Sequence, residues 1–199
     1  MCSIEKIPAM AKKTESTFIN MFLSLLIFTG VASFALAGVY NITKEPIAKV
    51  EKLKKENAIK EVIPEFDTIV TRDIAVPGQE RPVSISEGYM GGVLAGAAVQ
   101  TFSLKGYSGL IELMVGFDSA SCITKIEVLQ QKETPGLGTK METPEFREQF
   151  YGKNPSEFRI KVKKDGGDVD AITAATISSR AFCDAVQRAC DVYNKEGGK

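Results

Sequence analysis

The first feature in the pattern of hydrophobic and polar positions is an uncharged run. From Phe18 to Tyr40 the chain reads FINMFLSLLIFTGVASFALAGVY, without one charged side chain. As a helix these residues extend about 34 Å, enough for the hydrocarbon core of a bilayer. The run is apolar on every side, unlike an amphipathic surface helix. It predicts a transmembrane helix over 18–40, in which Gly30, Ala32, Ser33, Ala35, Ala37 and Gly38 let another membrane helix pack closely. A cleaved signal peptide is the alternative, since Ala35-Leu36-Ala37 resembles a cleavage site. The run exceeds the roughly 7–15 residues of a signal h-region, which favours a retained anchor. Residues 1–17 are polar, with Lys6, Lys12 and Lys13 against Glu5 and Glu15, and the bulk of the chain follows the run. This predicts a single-pass protein of the inner (cytoplasmic) membrane, its N-terminus cytoplasmic and its large domain periplasmic or otherwise extracytoplasmic.

Beyond the anchor the period changes. Ile47, Val50, Leu53 and Ile59 form one apolar stripe among Lys and Glu, predicting a helix from Glu45 to Val62. Pro46 suits its first turn and Pro64 its end. Residues 41–64 are thus expected to be a stalk, and the charges from Lys49 to Lys60 a solvated face with i,i+4 pairs. From about residue 65 the pattern turns to strands. Thr68–Val76 ends at Pro77-Gly78; Pro82–Ser86 and Val93–Leu104 follow, separated by Gly88–Gly92. Leu110–Phe117 alternates through Ile111, Leu113, Val115 and Phe117, Asp118–Ala120 turns, and Ile123–Leu129 returns. An antiparallel meander is the natural reading. Glu133–Gly138 is a loop, Thr143–Tyr151 a short helix opened by a cap and Pro144, and Phe158–Lys163 a further strand. A last helix runs from Ile177 to about Lys195, with Phe182, Ala185, Val186, Ala189 and Tyr193 as its buried stripe. The predicted class of 65–199 is α+β, an antiparallel sheet with flanking helices, behind one N-terminal transmembrane helix.

Composition narrows the chemistry. Twenty-five basic residues balance 25 acidic ones, so the chain lacks the basic excess of a nucleic-acid surface. It contains no His, which excludes Ser-His and Cys-His catalytic pairs and His-ligated metals. The cysteines at 2, 122, 183 and 190 include no C-x-x-C, and no metal site is expected. Cys183 and Cys190 lie about 10 Å apart along one helix, too far for a disulfide. They read as small buried apolar side chains. Any chemistry is therefore borrowed from a cofactor or absent.

One stretch concentrates what remains. Asp170-Ala171-Ile172-Thr173-Ala174-Ala175-Thr176 follows the turn Asp165-Gly166-Gly167-Asp168 and runs directly into the last helix. Two readings stand. Thr173 or Thr176 caps the helix; or small residues and free first-turn N–H groups receive an anion there.

Three features together resemble a known family. They are D-A-I-T-A-A-T before a helix; Glu133-Thr134-Pro135-Gly136-Leu137-Gly138-Thr139 upstream; and Lys105-Gly106-Tyr107-Ser108-Gly109 ahead of a strand–turn–strand. The combination, over roughly residues 85–195, resembles the covalent-FMN-binding domain of the G subunit of the Rnf (Rsx) electron-transport complex, which also occurs in the C subunit of the sodium-pumping NADH:quinone reductase. The resemblance implies a flavin transferase that cleaves FAD and attaches FMN by a phosphoester to Thr176. It implies that Asp170 belongs to the signature the transferase reads, while Thr173 keeps the plain role of shaping the turn. Ala174 and Ala175 leave room for phosphate and ribityl, and the helix start at Ile177 and Ser178 receives the charge. The Glu133–Thr139 loop, with Gly136 and Gly138, would meet the isoalloxazine ring. Leu137 would lie on its face, and backbone and hydroxyl groups of Glu133, Thr134 and Thr139 would satisfy its polar edge; Lys105 and Tyr107 are secondary candidates. The sequence departs from the family at Ala174, where Gly is usual; a positive φ there would make Ala costly.

The resemblance thus implies a flavoprotein subunit of an ion-translocating oxidoreductase, with no catalytic side chain of its own. It would relay electrons between ferredoxin and NAD⁺, coupled to Na⁺ or H⁺ movement, among other membrane and peripheral subunits. The equivalent subunit of the quinone reductase, or a flavin-free anchored assembly module, are the alternatives.

Overall fold

The computed structural model describes residues 17–75 and 81–197, which fall into two compact units divided between Lys49 and Val50. The polar N-terminal residues 1–16, Cys2 and the Pro77-Gly78 stop lie outside the described residues.

Helix α1 runs Phe18–Val62. Its apolar part is long and uncharged enough to cross a membrane, and its side chains are exposed, as they are in a helix that faces lipid. The helix expected over Glu45–Val62 is not a separate element: it is the end of α1, and Pro46 lies inside α1, which is helical on both sides of it. Pro removes one N–H and crowds the preceding turn, but Ala48, Lys49, Glu51, Lys52 and Leu53 just beyond it are strong helix formers.

In the second unit, β1 (Thr68–Ile74), β2 (Val83–Met90), β3 (Val93–Gly106), β4 (Gly109–Asp118) and β5 (Ile123–Gln130) form one antiparallel sheet in chain order. This is the expected meander, with Val99 opposite Val115 and Leu113 opposite Val128. The break between β2 and β3 is tighter than the sequence implies. Gly88, Tyr89 and Met90 continue β2, with a register shift at Gly88/Tyr89, and only Gly91-Gly92 turns. Helix α3 (Thr176–Glu196) covers one face of the sheet. Its Phe182, Ala185, Val186, Ala189 and Tyr193 pack with Val83, Ile85, Val99, Ile111, Leu113, Val115 and Phe117, and Tyr193 stacks on Phe117 at 4.5 Å between ring centroids. On the opposite face, Ala58, Val62 and Ile63 pack with Ala98, Met114 and Leu129. Two polar clamps fix that contact: Lys54 Nζ donates to the Leu129 carbonyl at 2.7 Å, and the Thr124 hydroxyl to that of Val62 at 2.5 Å. The domain is α+β, as expected.

From β5 the chain passes through a 3₁₀ turn at Gly138–Glu142, the four-residue helix α2 (Pro144–Arg147) and a 3₁₀ turn at Glu148–Phe150. Pro144 occupies the first helical turn, whereas the Thr143 hydroxyl donates back to the Lys140 carbonyl at 2.8 Å instead of capping. Phe158–Lys163 is not a strand. The segment forms one isolated parallel bridge, Val162 with Val169, and a 3₁₀ turn at Lys163–Asp165. It folds back on itself, with the Val169 N–H on the Lys161 carbonyl and the Gly167 N–H on that of Val162, so its backbone groups are spent locally. We call residues 159–170 the strap.

Candidate functional site

The strap delivers the chain to the start of α3. Arg159 grips Asp168 through its guanidinium (2.8 Å) and backbone N–H (2.8 Å), and Arg180 of α3 holds Asp165 with two bonds of 2.7 Å. Hydrogen bonding from these guanidiniums keeps both carboxyls below the usual carboxylate range. Gln149 brackets Asp170 like a strand partner, accepting its N–H at 2.7 Å and donating to its carbonyl at 3.3 Å. Asp170's own carboxylate accepts from Lys163 Nζ at 2.7 Å.

The D-A-I-T-A-A-T segment then turns. The Ala175 N–H donates to the Ile172 carbonyl at 3.0 Å, and Ala174, third residue of this turn, has φ +60°. That is the position a type II turn reserves for Gly or Asn, so the departure from the family's Gly falls where the backbone is left-handed. Ser179, fully buried, locks the turn to the helix: its hydroxyl accepts from the Ile172 N–H at 2.9 Å and donates to the Ala175 carbonyl at 3.0 Å. Capping by a threonine does not occur. Ala175 holds the cap position, Thr176 is the first helical residue, and no side-chain cap hydrogen bond is made among the described residues. The positive end of a 21-residue helix is left open to an external acceptor.

The Glu133–Thr139 loop stands opposite. The Leu137 N–H donates to the Thr134 carbonyl at 3.1 Å around Pro135-Gly136, and Gly136 has φ +76°: a type II turn of the Pro-Gly kind. The Thr139 hydroxyl accepts from the Gly136 N–H at 2.9 Å, closing the loop. Gly138 lies where a Cβ would come within 2.8 Å of Ser178 Oγ and 2.6 Å of Glu133 Cβ, so loop and helix meet only because it has none.

Between loop and helix lies a pocket of about 560 Å³, lined by Tyr107, Glu133, Thr134, Leu137, Gly138 and Ala174–Ser178. Its rim is apolar and open: Leu137 is 40%, Ile177 49% and Tyr107 70% exposed. A flat apolar ring system joined to an anion suits such walls, with the anion at the helix start. The expected site residues divide. Thr176, Ala174, Ala175, Ile177, Ser178, Glu133, Thr134, Leu137 and Gly138 come together here with Tyr107. Asp170 and Thr173 line a separate cavity of about 210 Å³ with Lys140 and Gln149, while Gly136 and Thr139 shape the loop from within. Lys105 pairs with Asp184 at 2.6 Å and does not line the pocket. Burial pushes the Asp184 carboxyl up, and hydrogen bonds from Lys105 and Ser103 outweigh it, leaving it below the usual range. The sequence reading missed Ser179 and Gln149. Ser179 is a small polar residue at the start of the last helix, ahead of its apolar stripe, and its burial is visible only in the structure.

Comparison with known proteins gives this geometry relatives. Residues 106–191 match the family model of the FMN-binding domain. The chain is 32% identical to the G subunit of the ion-translocating oxidoreductase complex of Aliivibrio fischeri over 184 residues, 86% of this chain and 88% of that protein. It is 30% identical to the G subunit of the corresponding complex of Methanosarcina acetivorans, covering 90% and 96%. It is 31% identical to the G subunit of the Na(+)-translocating ferredoxin:NAD(+) oxidoreductase complex of Acetobacterium woodii, covering 86% and 89%. Among solved structures, Shewanella oneidensis NqrC is similar over 61% of this chain and 63% of its own, with 20% identity and a TM-score of 0.43. With a matching FMN-binding domain and relatives that align over most of their length, the chain belongs to the G-subunit family of Rnf-type ion-translocating oxidoreductase complexes.

Proposed function

We propose that this protein is a membrane-anchored flavoprotein subunit that carries FMN in phosphoester linkage on Thr176 and relays electrons within an Rnf-type ferredoxin:NAD oxidoreductase complex coupled to Na⁺ or H⁺ translocation. The observation that carries the reading is the pocket, which joins the Ala174–Ser178 helix start to the Glu133–Gly138 loop. Its residues fit the cofactor. The uncapped first turn of α3 suits a phosphodiester, and Leu137, Ile177 and Tyr107 offer apolar surface for the isoalloxazine.

Bound FMN supplies the redox chemistry, and the protein supplies binding, orientation and electrostatics. Thr176, half-buried at the first helical position, lines the pocket, which supports it as the attachment point. In such an attachment Thr176 would supply the oxygen bonded to the flavin-side phosphorus of FAD in place of the pyrophosphate oxygen, with AMP, carrying the hydroxyl proton, as the other product. Asp170 and Thr173 stand outside the pocket on a face that a flavin transferase can read before the linkage forms. The apolar part of α1 anchors the subunit beside its membrane and peripheral partners, with the domain extracytoplasmic; covalent linkage prevents loss of the cofactor there.

The test is co-expression of the full chain with a flavin transferase. The wild type gains the mass of FMN less one water and fluoresces on a denaturing gel. Thr176→Ala loses both signals. An adduct that survives Thr176→Ala overturns the assignment.

A further inference from the structure

Glu133 is a buried carboxylate that attachment at Thr176 does not use. It is 4% exposed and lines the pocket. Its Oε1 accepts the Ser108 N–H at 3.0 Å, from the tip of the β3–β4 hairpin, and its Oε2 accepts the Ser178 hydroxyl at 2.7 Å, from the first turn of α3. Its own N–H donates to Gln131 Oε1 at 2.6 Å. No Lys or Arg among the described residues forms an ion pair with it. The other buried carboxylate among the described residues, Glu87, differs in having Arg72 at 2.8 Å.

The seat is built for the carboxylate. A Cβ on Gly106 would come within 2.6 Å of Oε1, and one on Gly138 within 2.9 Å of Oε2. Two donors and the positive end of α3 stabilise the buried group, so a cation is not needed. With no cation beside it, only these dipoles oppose its field, and its unit charge is not neutralised. In a water-poor wall that field acts over the adjacent pocket far more strongly than it would in solvent.

We propose that Glu133 sets the reduction potential of the flavin: a fixed negative charge in the pocket wall that opposes electron uptake and holds the potential low. The inference rests on the FMN reading above. Electrons added to a group beside a carboxylate meet repulsion that the oxidised group does not. Removing the charge therefore favours the reduced form. Glu133→Gln is the suitable change, because its amide oxygen can accept from Ser108 and its NH₂ can donate to the Ser178 hydroxyl, so the tie between hairpin and helix remains.

The experiment uses the full chain, co-expressed with a flavin transferase and purified in detergent. Intact mass first establishes the adduct, and spectroelectrochemical titration then gives the midpoint potential. Glu133→Gln should raise the ratio of reduced to oxidised flavin at fixed potential roughly tenfold, a positive shift of about 30 mV for a two-electron couple. Glu133→Asp, which keeps the charge, should shift it much less. A loaded Glu133→Gln protein with an unchanged or lower potential overturns the inference. A wild type without adduct overturns the FMN reading and this inference with it. If Glu133→Gln does not load, Ser108→Lys, on the exposed hairpin tip whose backbone N–H reaches Oε1, adds a cation on that side of the carboxylate and should shift the potential upward as well, though less; no shift in that variant overturns the proposal.

Discussion

Ala174→Gly is expected to stabilise the protein, although it deletes a methyl group and adds backbone freedom. Ala174 has φ +60° and an exposed side chain, so no packing is lost with its Cβ. An L-residue in the left-handed region costs about 1–2 kcal/mol relative to glycine. Against this, glycine widens the unfolded ensemble by about 0.4–1 kcal/mol. The net gain is about 1 kcal/mol, or about 2–4 °C in midpoint for a chain of this size. Ala175→Gly is the internal control. Ala175 has φ −133° and is 7% exposed, so the same exchange there loses buried surface, relieves nothing and should lower the midpoint. The assay is thermal unfolding of the full chain in detergent, followed by near-ultraviolet dichroism of the aromatic groups, among them Tyr193 stacked on Phe117, so that a persisting anchor helix does not mask the transition. A midpoint for Ala174→Gly equal to or below wild type would refute the argument that strain is held in this turn. Strain held at a turn against a binding pocket is a common functional arrangement.

Other outcomes follow from the same geometry. Ser179→Ala should cost about 1–3 kcal/mol in urea unfolding, because it leaves the buried Ile172 N–H without its acceptor. Cys183 and Cys190 are buried, and burial pushes both thiols up to about 12. Both should therefore resist maleimide in the native protein near pH 8 and react only after unfolding, as peptide mass mapping would show. Asp165 and Asp168 have folded pKa values depressed by Arg180 and Arg159. Their stabilisation is complete above the unfolded carboxylate value, about pH 4, and is lost as pH falls through the lower folded values. Pepsin should therefore begin to cut within 159–170 only below about pH 4, before the aromatic dichroism is lost. Cutting there at pH 5 would contradict the assigned clamps.

The meander and α3 were legible because each had a strict period: two for Ile111, Leu113, Val115 and Phe117, and near 3.6 for Phe182, Ala185, Val186, Ala189 and Tyr193. Both periods report burial against one partner, which is a local property of the sequence. The segment 158–163 misled because Phe158, Ile160 and Val162 alternate with Arg159, Lys161 and Lys163 as a half-buried strand does. Alternation requires one buried side but not a neighbouring strand, and here the backbone pairs within the strap. Pro46 misled in the opposite way, since a residue favoured at a helix start also survives inside a helix whose neighbours favour it strongly. At the site, residue types marked the two turns, and the structure brings both to one pocket. What no period or motif revealed is that Asp170 and Thr173 line a separate cavity while Ala174–Ser178 line that pocket. The division follows from the left-handed residue between them, which reverses the chain direction at Ala174.

The first turns of α3 explain why the site is assembled from so few residues. Successive helical residues point about 100° apart, so consecutive positions reach different neighbours. Thr176 opens on the pocket and Ile177 forms its rim. Ser178 holds Glu133 and, through it, the hairpin at Ser108. Ser179 fixes the strained turn at Ile172–Ala175, and Arg180 fixes the strap at Asp165. Consecutive side chains thus locate the loop, the hairpin, the turn and the strap, through hydrogen bonds made by Ser178, Ser179 and Arg180. An amphipathic stripe begins only at Ala181 and Phe182, where the helix meets the sheet. The polar I-S-S-R start therefore lacks the helical pattern for a physical reason: those residues answer to separate partners and not to one apolar face. Changing any one of them should disturb one neighbour of the pocket while leaving the packing of Phe182, Val186 and Tyr193 on the sheet intact.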